Sequence, residues 1–476
     1  MSIEVVTLSS GRKTLSESVL EEFRDGLRGE LVLPQSPDYE EARKIWNGMI
    51  DRHPALIVRS LGASDVINAV NFARENNILL AVRGGGHNVA GNAVCEGGMV
   101  IDFSLMKSVR VDTNNRTARV EPGCLLGDLD RETQAFGLAT PGGIVSTTGV
   151  AGLTLGGGFG WLSRKYGLSV DNLLSVDLVT AQGNLITASR TENPDLFWGL
   201  RGGGGNFGVV TSFEFSLHEV GPLVYSGIIV KPLSEAKQYI RFHRKFAREA
   251  PDDLTVWMVI RKAPPLPFLP ESVYGQLVVV VPFLYLGDQK EGERLIKPVR
   301  EFGTSHGEAI GMNPFISWQR TFDVLVEPGA RNYWKSHYLD DISDGAIDVI
   351  MEYAKRFPSP QCEVFIPRME GAIARVPAGQ TAYAHRGAPF TLNIHTRWEK
   401  AGDDERCIAW AREFFEALRP YSTGGVYVNF LSEEGESRVR DAYPNEIWDR
   451  LVELKNKYDP NNLFRLNQNI RPTVGQ

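Results

Sequence analysis

The sequence predicts an α+β protein of two domains, the second built on a large sheet backed by helices. Three observations carry that expectation. The chain has 476 residues, more than one hydrophobic core holds. From residue 55 short strand patterns and amphipathic helical patterns follow one another, and after Gly221-Pro222-Leu223 both kinds of element lengthen.

Residues 1–50 read as two or three helices around a short strand, without recognisable chemistry. "ALIVR" is then a strand, and "ASDVINAVNFARENN" an amphipathic helix with Val66, Ile67, Val70 and Phe72 at helical spacing. "ILLAV" and "GMVIDFS" are strands. "VRVDTNNRTARVEPG" and "LLSVDLVTAQGNLITAS" are hairpins, the second turning at Gln182-Gly183, and "LLGDLDRETQAFG" is a short helix. "GVVTSFEFSL" closes this half near residue 220. Beyond it "YGQLVVVVPFLYLG", "CEVFIPRMEGAIARV" and "PFTLNIHTRWEK" read as strands, with helices at "DISDGAIDVIMEYAKRF" and about 402–418. The boundaries drawn are 1–52 for an N-terminal helical segment, 53–222 for the first domain, 223–424 for the second, and 425–476 for a C-terminal segment.

Composition is that of a globular protein, with 42% hydrophobic and 23% charged residues. A net charge of −7 gives no support for nucleic-acid binding. No signal peptide or membrane span is read, so the expectation is a cytoplasmic chain. Cys95, Cys124, Cys362 and Cys407 form no CxxC pair, and neither a disulfide framework nor a metal site is expected.

The 48 glycines gather in runs, at 84–86, 156–160 and 202–205. Ordering consecutive glycines costs backbone entropy, so something must approach the backbone closely there. Gly203, Gly205 and Gly208 match GxGxxG, but a strand rather than a helix follows, the reverse of a Rossmann site. Tight turns between strands remain one reading of the runs. Loops converging on a diphosphate-bearing cofactor are the other.

"AVRGGGHNVAG", "VEPGCLLGDL", "ATPGGIVSTTGVAGLTLGGGFGWLSRKYGLSVDNL", "NPDLFWGLRGGGGNFGVVTSFEF" and "YDPNNLFRLNQNI" occur in this order. Together they resemble the berberine-bridge-enzyme-like branch of the vanillyl-alcohol-oxidase flavoproteins. The resemblance implies a two-lobed PCMH-type FAD-binding domain, a substrate domain with a large antiparallel sheet, and a C-terminal segment that returns to the FAD domain. It implies FAD bonded covalently to His87 and held by Arg83, Gly84, Gly85, Gly86, Asn88, Gly91, Pro141, Gly142, Thr148, Gly149, Gly152, Gly157, Gly158, Gly160, Trp161, Gly208, Val210, Asn429, Asn467 and Gln468. Many relatives carry a second, cysteinyl link. That position is Val145 here, so a single histidyl bond is expected. Thr148 falls where the family controls oxygen access, and its size leans toward an oxidase.

"FTLNIHTRW" alternates with period two: Phe390, Leu392 and Ile394 on one face, Thr391, Asn393, His395 and Arg397 on the other. The polar face lies toward solvent or toward a site, and the resemblance favours the site. "GVYVNF" reads the same way, with Tyr427 and Asn429 opposite Val426, Val428 and Phe430. Relatives often have a tyrosine base at the position of Phe430. His395, then Tyr427, are therefore the candidate proton acceptors, with Asn393 and Asn429 beside them. The implied activity is oxidation of a small alcohol or amine with molecular oxygen as acceptor. A dehydrogenase serving a quinone or protein carrier, and a flavin-binding protein without turnover, are the alternatives.

Overall fold

The computed structural model describes residues 2–432 and 435–473. The first half of the chain carries two principal sheets. In one, Leu56–Arg59 and Leu80–Arg83 both pair in parallel with Met99–Asp102, and Glu30–Val32 adds an antiparallel edge. Parallel strands need a crossover, and helix Ala63–Glu75 provides it between Leu56–Arg59 and Leu80–Arg83. The other sheet is five-stranded and antiparallel, in the order Leu185–Ser189, Leu173–Val179, Val209–Ser216, Thr117–Val120, Val109–Asp112. Its first hairpin turns at Gly183, where φ is +81° and only glycine is at ease.

Strands between Leu223 and Trp398 form one eight-stranded antiparallel sheet. One face packs on helices Ala236–Glu249, Gln289–Glu301, Asp344–Ala354 and Asp404–Leu418, in a core that holds Phe390, Leu392 and Ile394. The opposite face packs on residues from the first half and the C-terminal segment, with Ile228, Val280 and Phe365 beside Phe159, Trp161 and Tyr427. Thr391, Asn393, His395 and Arg397 are buried as well, so the polar side of Phe390–Trp398 does not face solvent.

The C-terminal helix Asn445–Tyr458 places Leu451, Leu454 and Tyr458 in the same core as Val120, Leu178 and Phe213. Its anchor is ionic: the Lys455 Nζ, fully buried, meets Asp459 at 2.7 Å, and Asp459 accepts from the Leu463 and Phe464 amides.

Three expectations are corrected. Residues 1–50 hold a hairpin, Ile3–Val6 with Arg12–Leu15, and the short strand Glu30–Val32 besides helices Glu17–Asp25 and Tyr39–Ala42. "CEVFIPRMEGAIARV" is a strand only over Glu363–Ile366; after Gly371, at φ +83°, the chain turns into the helical Ala372–Arg375. "GVYVNF" is not a strand but an extended Tyr427 leading into a 3₁₀ turn at Val428–Phe430.

Candidate active site

Between the two halves lies a cavity of about 420 Å³. Glycine loops form one end. The run at 84–86 leaves strand Leu80–Arg83 and crosses Gly149 backbone on backbone: a Cβ on Gly85 would lie 2.5 Å from the Gly149 Cα. Gly152 and Gly205 also line the cavity, and a Cβ on either would meet nothing within 4 Å, so their open sides form a cradle.

The cavity gathers most residues that the sequence singles out: Gly84, Gly85, Gly86, His87, Asn88, Thr148, Gly149, Gly152, Trp161, Gly208, Val210, Asn467 and Gln468, with Asn393, His395, Tyr427 and Asn429. Arg83, Gly91, Pro141, Gly142, Gly157, Gly158 and Gly160 lie outside its lining, and each makes other contacts. Arg83 donates to both carboxylate oxygens of Asp102, at 3.0 and 2.6 Å, and to the Lys44 carbonyl at 3.1 Å. Gly91, at φ +78°, packs on Ile50, and the Pro141 carbonyl accepts from Ser169. Gly142 lies against Leu126 and Gly157 against Tyr383, Gly158 has no room beside Ser169, and a Cβ on Gly160 would lie 2.4 Å from the Gly142 carbonyl.

His87 stacks on Trp46, with ring centroids 4.3 Å apart. Burial pushes its imidazole down to about 3, and its Nε2 is buried without a partner. The ring is therefore a neutral base at physiological pH. Trp46 is fixed in turn, its indole donating to the Val326 carbonyl at 2.8 Å.

The sheet floor brings the polar groups together. Arg261, Glu363, His395 and Trp334 stand directly opposite one another on four adjacent strands, and residues so placed share one face. Arg261 donates to Glu363 at 2.8 Å, Glu363 meets the His395 Nδ1 at 3.0 Å, and Trp334 packs edge-on against His395. Burial alone would raise the Glu363 carboxyl, but Arg261 and the bond to His395 outweigh it and hold it at about 2.

The Tyr427 hydroxyl oxygen accepts from the Gly158 amide at 3.0 Å and from the Asn429 Nδ2 at 2.9 Å. Burial raises the phenol above its usual range, so it is neutral. Asn429 thus reaches Tyr427 through the 3₁₀ turn rather than by strand alternation. Phe430 lines the cavity edge-on to Trp334 and Tyr427.

Residues 54–189 match the family of FAD binding domains, and residues 426–471 match the "Berberine and berberine like" family. An FAD-linked oxidoreductase of Dictyostelium discoideum is 32% identical over 470 residues, covering 98% of this chain and 99% of the relative. The chain is a berberine-bridge-like FAD-linked oxidoreductase. (R)-6-hydroxynicotine oxidase of Paenarthrobacter nicotinovorans is 32% identical over 463 residues, 94% of this chain and 97% of its own. The crystal structure of 6-hydroxy-D-nicotine oxidase from Arthrobacter nicotinovorans superposes with a TM-score of 0.84 at 31% identity, over 93% and 98% of the two chains.

The glycine cradle and the unpartnered His87 nitrogen of this oxidoreductase fit FAD. A second, thiol attachment does not fit. Val145 lines the cavity, and the four cysteines are free, buried and outside its lining. Burial pushes the Cys95, Cys124 and Cys362 thiols up to about 12. Among the described residues no cluster suits a metal ion, and no helix is long and apolar enough to cross a membrane.

Of the second-domain aromatics that the sequence offers for stacking on a substrate ring, Trp257, Phe322 and Trp334 line the cavity; sequence reasoning missed Trp46, Arg261 and Glu363, which line it too. For Glu363 a signal exists, since it is a lone charge at the start of a short apolar strand; Arg261 stands beside Lys262 at the end of its own strand and reads as part of an exposed basic pair. Trp46 carries none, because it meets His87 and Val326 only in space.

Proposed function

We propose that this oxidoreductase is an oxidase of a small alcohol or amine, with FAD bonded to His87 and molecular oxygen as final acceptor. Bound there, FAD supplies the acceptor for a hydride from a substrate C–H bond, and reoxidation by oxygen yields hydrogen peroxide. The observation that carries the reading is His87, a neutral imidazole with a free nitrogen beside a glycine cradle. Only the neutral ring is nucleophilic, and the stack on Trp46 holds it in one orientation. Thr148 in the cavity wall supports oxidase over dehydrogenase, and Val145 supports a single covalent bond.

We assign residues 53–222 and 425–476 to the FAD-binding domain and 223–424 to the substrate domain. The shared core of the C-terminal helix and the antiparallel strands of the first half supports that division. Arg83 is given a supporting role, as the ion pair with Asp102 that holds the start of the glycine run. The cavity offers His395 and Tyr427 to meet the polar end of a substrate, with Asn393 beside the first and Asn429 bonded to the second. The similarity to 6-hydroxynicotine oxidase supports an amine among the candidate substrates.

Anaerobic mixing with a panel of alcohols and amines, followed by admission of oxygen, tests the reading. An oxidase loses its yellow colour with a substrate and regains it in oxygen with one peroxide per turnover. Reoxidation by a quinone but not by oxygen makes it a dehydrogenase, and no bleaching by any substrate makes it a binding protein.

A further inference from the structure

The row Arg261–Glu363–His395 has a consequence for charge. The His395 Nδ1 faces the Glu363 carboxylate at 3.0 Å, and its Nε2 lies 3.3 Å from the Asn332 Oδ1. The orientation of Asn332 is set by its Nδ2, which donates to the Ala330 carbonyl at 2.8 Å, so the amide oxygen is the end that meets the ring. Both ring nitrogens therefore face acceptors. A neutral imidazole has one N–H and one bare nitrogen, and would set a lone pair against an oxygen; the imidazolium donates to both.

Glu363 is the only acidic side chain that lines the cavity among the described residues, and Arg261 already shares it. A doubly protonated His395 would thus be the second positive group on that one carboxylate. Arg397, two residues from His395 on the same strand face, keeps Nε and Nη1 buried without partners; the carboxylates of Glu399 and Glu327 act on it from outside the cavity. His87, Tyr427 and Tyr443, the remaining titratable groups that line the cavity among the described residues, are neutral. The corner has excess positive charge in a wall otherwise made by Trp161, Trp257, Phe322, Phe365 and Phe430. Unmatched buried charge is costly, and an anion offsets it.

We propose that His395 carries both ring protons in the resting enzyme and, with Arg261, makes this corner a receptor for an anionic group on the substrate. The ligand class is a small aromatic molecule bearing one anionic oxygen, a carboxylate or an ionised phenol. The Asn393 amide, with its oxygen unpartnered beside His395, is free to turn its N–H toward that group. Neither nitrogen of His395 then has a lone pair to take a substrate proton. The substrate reacts as a free amine or a phenolate, which brings no such proton. The inference rests on the cavity being the substrate site of the proposed oxidase.

The test titrates the flavin-loaded protein with benzoate and with benzamide, which has the same shape and no charge. Flavin absorbance and tryptophan fluorescence report binding without turnover. Benzoate should bind about tenfold or more tighter, as charge-assisted hydrogen bonds are stronger than neutral ones. The preference should vanish in His395→Gln and return in His395→Lys, which restores the charge. Equal affinities in the wild type, no benzoate signal, or an unchanged preference in His395→Gln overturns the proposal. Because no substrate oxidation is read, a failure of the oxidase assignment shows in the anaerobic panel and not here.

Discussion

Asp130 sits on helix Leu126–Gln134, 5% exposed, with the Gln319 Nε2 as its side-chain partner at 3.1 Å. Burial pushes its carboxyl from the ordinary 3.8 up to about 7, against the small opposing effect of that bond. The Gln319 Oε1 is buried with no donor. The sign of the linkage follows. Above the unfolded value the unfolded chain has released this proton while the folded chain still holds it. Stability therefore falls as pH rises from about 4 to about 7 and is level beyond. Two pH units of that window lie between pH 5 and about 7, at about 1.4 kcal/mol each. Asp130→Asn keeps the shape and removes the titration. Its stability advantage over the wild type should grow by about 3 kcal/mol between pH 5 and pH 8. Urea denaturation of both proteins across that range, read by tryptophan fluorescence, measures the difference. A difference that does not change with pH, or a wild type that gains on the variant as pH rises, refutes the reasoning.

Acid precipitation should leave wild-type protein yellow and release free FAD from His87→Ala; flavin retained in that variant rules out this residue as the attachment point. Gly85→Ala would drive a methyl to 2.5 Å from the Gly149 Cα, a backbone contact with no flexible end to yield. The cost is about 1–3 kcal/mol or more, and purified variant should carry well under one flavin per chain; full occupancy contradicts the crossing of the two loops. Tyr427→Phe strips the Gly158 amide of its acceptor and should cost about 1–3 kcal/mol in thermal or urea unfolding, whereas an unchanged midpoint indicates that the amide has another partner.

Legibility in the sequence followed the range of the interactions. The strand Phe390–Trp398 was readable because one face belongs to a helix-covered core, which forces a strict period of two. The Gln182-Gly183 turn was readable because left-handed backbone selects for glycine. The same logic misread "GVYVNF", where alternation is present but the strand is not. There the chain makes a 3₁₀ turn, and Tyr427 is held by the Gly158 amide rather than by a neighbouring strand. The first hairpin was missed because its second strand, "RKTL", exposes three of its four residues and shows no apolar rhythm. The glycines in and around the runs meet two physical demands that composition cannot separate. Gly152 and Gly205 open on the cavity, while Gly142 and Gly160 pack one loop on another. Trp46 was invisible for a simpler reason: it contacts Val326, 280 residues away.

The row Arg261, Glu363, His395, Trp334 draws one residue from each of four strands. Each member is a tile in a floor whose underside is a separate apolar core, although Arg261, Glu363 and His395 are bonded to one another and balance each other's charge. Exchanging a tile alters the chemistry presented above without touching the packing below. Neighbouring tiles are far apart in the gene, so each changes by its own mutation and can be combined with the others. A lineage that keeps the cofactor loops intact can thus move between charged, polar and apolar ligands by exchanging a tile together with the partner it pairs with. The same arrangement gives a laboratory a short, well-defined set of positions at which to redirect this scaffold.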